Sequence, residues 1–403
     1  MLTDNLTALK PDDRPVEIAE PPPLIAEDNS KLSRSSHPGR QPIAAYYDNP
    51  NLDFLRSFAV LLVLVGHLTC YFGKLQLGPW NLLLMGSLGV LFFFVHTSLV
   101  LMSSLQRRWN SWFSSAPEKL LSRKVFFLEF MVRRCFRIYP LSVTVVVLIL
   151  AFQLPQATVE PGVFHGFRAD AGDIIANLFL VQNLAHRIPL LGPMWSLPYE
   201  LQMYIFLPWI FLFVRRGRLV IPTVATWVLV SSSALIVAHY QPNPSLLLFA
   251  PCFLPGVLAY KLQQVVTFDR LPASLWPFFV AGLSAMFLMM GGPGEHWFAK
   301  WCACLSLGLA IPRFAPISNR CIVGASHLVA KYSYGIYLTH FFAIWFAFDR
   351  LAPRGALQKV AVFTLLTTGL PILFYHTIEE PMIGVGKRIA DHYVAGSCSK
   401  LSP

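Results

Sequence analysis

The stretch that decides the fold is NLDFLRSFAVLLVLVGH, residues 51–67. It opens with Asp53 and Arg56, continues through an uncharged apolar run, and reaches His67. With the following residues to Phe72 it is as long as the roughly 20 residues that cross a bilayer. Similar runs follow at about 81–104, 138–154, 196–214, 219–239, 245–263, 273–291, 297–313, 330–349 and 357–376. The pattern predicts an all-α, polytopic membrane bundle of about ten transmembrane helices. A shorter apolar stretch near 174–184 is read as an interfacial or re-entrant piece of the 155–195 loop.

Composition agrees. Of 403 residues, 55% are hydrophobic and 13% charged, with a mean hydropathy of +0.53. A soluble chain carries about a quarter charged residues. The net charge of +11 calls for no nucleic-acid partner, because cytoplasmic loops of membrane proteins collect Lys and Arg. One inner segment holds Arg107, Arg108, Lys119, Arg123, Lys124, Arg133, Arg134 and Arg137, and later inner loops hold Arg215, Arg216, Arg218, Lys261, Arg270, Arg313, Arg320 and Lys331. Outer loops hold fewer, so both termini are expected on the cytoplasmic side of the inner (plasma) membrane. Residues 1–50 are polar, lack the apolar core of a signal peptide, and are expected to be a disordered cytoplasmic tail. Residues 389–403 are expected to be a short cytoplasmic C-terminal tail. The seven cysteines show no CxxC and no zinc spacing, and are read as small core residues with no metal.

Chemistry is suggested by ionisable residues in apolar surroundings, each a functional candidate by default. Arg56 and His67 are eleven residues apart, so on a helix they share a face, about 20° apart in azimuth and about 16 Å apart along the axis. The plain alternatives are a snorkelling arginine and a histidine bonded to a neighbouring helix. Arg134 and Arg137, at i and i+3, point the same way. Their planar forks suit phosphate, although an ordinary positive-inside cluster has the same charge pattern. Pro140 is read as the first turn of the third span. Glu200, one turn into the fourth span, either orients or charge-balances His67 or simply meets a helix N-terminus. Lys331–His340 carries clustered aromatics that alone read as an interfacial belt, and Ile378-Glu379-Glu380-Pro381 reads as a helix stop.

The ordered blocks LDFLR…GH, GVLFFFVHTS, RRCFRIYPL, MWSLPYELQMY, YSYGIYLTH and IEEP resemble the acyltransferase 3 family of integral-membrane acyltransferases, over about residues 51–388. The resemblance implies transfer of an acyl group, usually acetyl, from acyl-CoA as co-substrate to a hydroxyl of a glycan, a lipid-linked sugar or a small molecule, with no tightly bound cofactor. It implies that Arg56 and His67 belong to the catalytic centre, that Arg134 and Arg137, with Arg133 beside them, serve the acyl donor, and that Glu200 is the family's acidic position. The chain departs at Leu91, where many members carry Asp, and at His96, which adds a polar group and implies a different pocket. It ends soon after the tenth span, without the hydrolase-like domain that some members append, so transfer is expected within the membrane domain. His67 is then expected to act as general base or transient acyl acceptor. The rival readings are acylation of a cytoplasmic small molecule and, in a different class, a secondary transporter or flippase, against which stands the lack of visible repeat symmetry.

Overall fold

The computed structural model describes residues 49–115, 123–154, 156–157, 164–215, 220–240, 244–267, 269–290, 296–351 and 355–399. Residues 1–48 of the expected N-terminal tail, Lys119, Arg216 and Arg218 lie outside the described residues.

Helix α1 (Pro50–Tyr71) starts where Asn49 accepts the backbone N–H of Asn51 at 3.0 Å and Pro50 fills the first turn. The buried Asn51 side chain then donates to Ala315 O at 3.0 Å and accepts from Ile317 N at 2.9 Å. This ties the start of α1 to the segment leading into a helix far along the chain. The succeeding helices are α2 (Leu84–Ser115), α3 (Arg123–Phe152), α4 (Ala171–Leu178), α5 (Leu197–Arg215), α6 (Ile221–Tyr240), α7 (Leu246–Val265), α8 (Leu275–Met290), α9 (Trp297–Ala310), α10 (Arg320–Ile344), α11 (Ala356–Phe374) and α12 (Glu380–Ser399). Ten of these match the ten expected spans. Among the described residues seven helical stretches are long and apolar enough to cross a membrane unaided. α8 and α9 have only 16 and 14 residues, so ten is an approximate count.

The bundle is centred on α2 and α7, whose apolar windows are 61% and 78% buried, while α6 and the α11 stretch lie at the periphery, at 17% and 11%. Helix α7 contains Pro251 and Pro255. Pro255 has no N–H to give Pro251 O, and Trp227 Nε1 supplies the missing donor at 3.0 Å. The central pair crosses closely, because a β-carbon at Gly256 would collide with Ser98 Oγ and Val95 O. Ser98 Oγ uses that proximity to donate to Phe253 O at 2.6 Å. Helices α1 and α2 also cross closely, since a β-carbon at Gly66 would lie 2.6 Å from Gly86 N. Such side-chain-free crossings are how helices pack when lipid removes the hydrophobic drive between them.

Three boundaries differ from the reading of the sequence. Helix α3 begins at Arg123, not near 138, so the arginine-rich segment is a continuation of the span and Pro140 lies inside the helix. A single missing N–H is tolerated because the helix continues for turns on both sides. The chain does not stop at Pro381: a wide turn of π-helix over Tyr375–Glu379 leads into α12, whose first turn accommodates the proline. Helix α12 packs along α3, with Gly386 against Phe136. Residues 389–399, expected as a tail, are therefore helical.

The stretch expected as interfacial contains α4, capped by Asp170, which accepts from Asp173 N at 2.7 Å while Asp173 reciprocates. Ile175, Phe179, Leu184 and Ile188 are exposed around it, the pattern of a piece lying in the membrane surface.

At the arginine-rich end an ion-pair network joins three helices. Glu129 of α3, 1% exposed, pairs with Arg108 of α2 and with Arg133 at 2.6 Å, and Arg133 also pairs with Asp391 of α12.

Candidate active site

A cavity of about 280 Å³ opens inside the bundle. Its walls carry Arg56 from α1, Arg134 and Arg137 from α3, Glu200 and Tyr204 from α5, and Ser333 and Tyr337 from α10. Of the six sequence-expected positions, four share this one cavity: Arg56, Arg134, Arg137 and Glu200. Arg56 donates from Nε to Ser333 Oγ at 2.7 Å, and the Ser333 hydroxyl in turn donates to Ala330 O at 2.8 Å. The Arg56 guanidinium, which lines the cavity, is therefore held by its inner nitrogen. The buried Arg134 Nε has no hydrogen-bond partner among the described residues. Glu200 accepts from Tyr204.

Arg133 differs from the expectation. It is one residue from Arg134, so it points about 100° away around the helix and is bound into the Glu129–Asp391 network. It is not among the residues lining the cavity.

His67 lies beyond the far end of the cavity. Tyr337 and Phe93 both line the cavity, with ring centroids 6.2 Å apart, and Tyr337 lies on the side toward the histidines. Tyr337 donates to Pro193 O and takes a hydrogen bond from Ser196, both at 2.7 Å. His340, one turn further along α10, packs on Tyr337 at 6.2 Å and on His67 at 5.1 Å between centroids. His67 is partly exposed, whereas His340 is fully buried.

The hydrogen bonds of this histidine pair fix both tautomers. Backbone carbonyls only accept. His67 Nδ1 lies 2.9 Å from Val63 O, and His340 Nδ1 lies 3.1 Å from Ile336 O, so each neutral ring carries its proton on Nδ1. His340 Nε2 is then a bare lone pair, and it faces His67 Nδ1 at 3.2 Å as a second acceptor for the same proton. His67 Nε2 is left as a lone pair with no hydrogen-bond partner among the described residues. That is the form needed by a base or nucleophile. Gly86 forms the wall beside this ring: a β-carbon there would lie 3.2 Å from His67 Cε1.

The sequence suggested Glu200 as the partner that orients His67. The structure gives that position to His340, while Glu200 faces the arginines and Tyr204. The signal for His340 was present: a histidine in an apolar helix segment, three residues after Tyr337 and so on the same face.

The family model described as an acyltransferase domain matches residues 49–376. The chain belongs to this family. Its match covers every helix that lines the cavity and carries the histidine pair, α1 through α11. Among curated relatives of the family, the chain is similar to the O-acetyltransferase OatA of Staphylococcus aureus strains NCTC 8325 / PS 47, COL and MRSA252, at 24% identity over 371 residues in each case. The alignment covers 83% of this chain and 57% of the relative, so the chain spans little more than half the length of the family relatives it matches. No solved structure gives a significant match.

Proposed function

We propose that the protein transfers an acyl group, acetyl above all, from acyl-CoA to a hydroxyl of a carbohydrate or lipid-linked glycan of the cell envelope. The observation that carries this reading is the His67 ring, with its Nδ1 proton committed and its Nε2 lone pair uncommitted, set beyond an arginine-walled cavity. The name of the OatA relatives supports the O-acetyl chemistry. The protein would lie in the inner membrane with both termini and the arginine end cytoplasmic, in keeping with the positive-inside bias. It would use acyl-CoA as a co-substrate, without a resident cofactor.

In this mechanism Arg134 and Arg137 hold the phosphates of the donor, Arg56 guides the pantetheine arm, and Glu200 balances the arginine charge. The thioester reaches His67 when the Tyr337–Phe93 pair yields. His67 Nε2 takes the proton of the acceptor hydroxyl as its oxygen attacks the thioester carbonyl. The C–S bond breaks, and the thiolate leaves with coenzyme A. The imidazolium that forms is stabilised through Nδ1–H by two acceptors, Val63 O and His340 Nε2. His340 is thus a positioning residue.

The test is transfer of labelled acetyl from acetyl-CoA to envelope glycan by the purified protein in lipid discs. Translocation of substrate without any acyl transfer would favour a transporter instead. In the same assay Arg137→Lys keeps the charge but loses the fork, and should raise the KM for acetyl-CoA by about 10-fold or more, since hydrogen bonds to charged groups contribute about 1.5–3 kcal/mol. An unchanged KM would remove Arg137 from the donor site.

A further inference from the structure

The wall of the cavity formed by α2 is neutral and polar, and the mechanism above does not use it. His96 is 6% exposed and lines the cavity with Thr97 and Ser104. None of the three has a hydrogen-bond partner among the described residues. Thr97 differs in this from several other helical threonines of the protein. Thr144, Thr339 and Thr368 each bond back to the carbonyl four residues earlier, at 2.8 Å, the usual outlet for a helical threonine. A nine-tenths-buried imidazole with no partner is likewise costly, unless something that fills the cavity supplies the missing bonds.

Position narrows what that something is. Helices α1 and α2 run antiparallel with Gly66 against Gly86, so Gly86 marks the depth of His67. His96 lies ten residues further along α2, about 15 Å away on the axis, at the depth of Arg56. Ser104 lies about 12 Å further still toward the arginine end. A ligand running from the arginine-rich end of the bundle toward His67 therefore passes the level of Ser104 first and then that of Thr97 and His96. The arginines suit an anionic end. A neutral imidazole, with one donor and one acceptor, and two hydroxyls suit a neutral chain bearing amide groups, whose N–H and C=O offer the complementary pair.

We propose that His96 and Thr97 form the amide-recognition site for a phosphopantetheine arm, with His96 as its principal residue and Ser104 as its outer step. This rests on the thioester-donor reading above and deepens it, because it makes recognition depend on the arm as well as on its phosphates. The arm is common to coenzyme A and acyl carrier protein.

The experiment compares wild type, His96→Phe and His96→Gln in lipid discs with four acetyl donors: acetyl-CoA, S-acetylphosphopantetheine, acetylated acyl carrier protein and the amide-free acetyl thioester of mercaptoethanol. His96→Phe fills the same space without hydrogen bonding. It should raise KM about 10-fold, the effect of about 1.4 kcal/mol, for every donor that carries the arm, with the loss read in KM and not in kcat. His96→Gln, which retains a donor and an acceptor, should recover most of it. With the amide-free thioester, wild type and His96→Phe should have equal kcat/KM. Of the two natural sources, the one with the lower wild-type KM is the donor that the site serves. An unchanged KM in His96→Phe, an equal loss with the amide-free thioester, or a fall confined to kcat would overturn the assignment while the donor reading stands. A wild-type protein inactive with all four thioesters would overturn the donor reading and this inference with it.

Discussion

In the His67→Ala variant, acyl transfer is expected to fall by about 10²–10⁴-fold, the usual contribution of a positioned general base. The protein should still insert, because the ring sits at one end of α1 and the buried residues of that helix, Leu55, Ala59, Val60 and Val63 among them, are untouched. The KM for acetyl-CoA should change little, since the cavity and its arginines do not include His67. The comparison with His340→Phe separates chemistry from positioning. That variant keeps an aromatic ring beside His67 but removes the acceptor 3.2 Å from Nδ1, so its rate should lie between wild type and His67→Ala. Wild-type turnover by His67→Ala would remove the histidine from the reaction, whatever its neighbours do.

The second large effect concerns stability. Replacing Glu129 by Ala should destabilise the detergent-solubilised protein by about 3–5 kcal/mol, the cost of leaving buried charge without its partner. Glu129 is 1% exposed and faces Arg108 and Arg133, which are 26% and 13% exposed. Both guanidinium groups would lose their shared counter-charge at once. Asp391 makes the contrast, because its side chain is 57% exposed. Asp391→Ala should cost about 0–1 kcal/mol, as exposed pairs do. Thermal unfolding of the two variants side by side checks both numbers, and equal midpoints would show that Glu129 is not the centre of the network.

The positions of the helices were legible because each apolar run must cover the bilayer, whatever it packs against. That constraint is local and is written in consecutive residues. Helix limits at the arginine end were not legible. Arg123–Arg137 is basic and reads as a loop, yet it continues α3 because Glu129 pairs with Arg108 and Arg133, and α12 packs along its side. Arg56, Arg134, Arg137 and Glu200 could be picked out as ionisable groups beside or within apolar helices, and the structure brings them to one cavity. The partner of His67 could not be picked out, because His340 is 273 residues away and periodicity says nothing about contacts over that separation. Arg133 was placed with its neighbours on sequence proximity alone, whereas helical azimuth sends it to Asp391.

The pair of aromatic rings formed by Tyr337 and Phe93 has a bearing on side reactions. Tyr337 is pinned by Pro193 and Ser196, and under the proposed mechanism its ring and that of Phe93 lie on the path from the donor's thioester to His67. Water that reaches His67 from the opposite surface would find no electrophile there. Trimming Tyr337 to a small residue should therefore make the protein wasteful, splitting its donor without any sugar present.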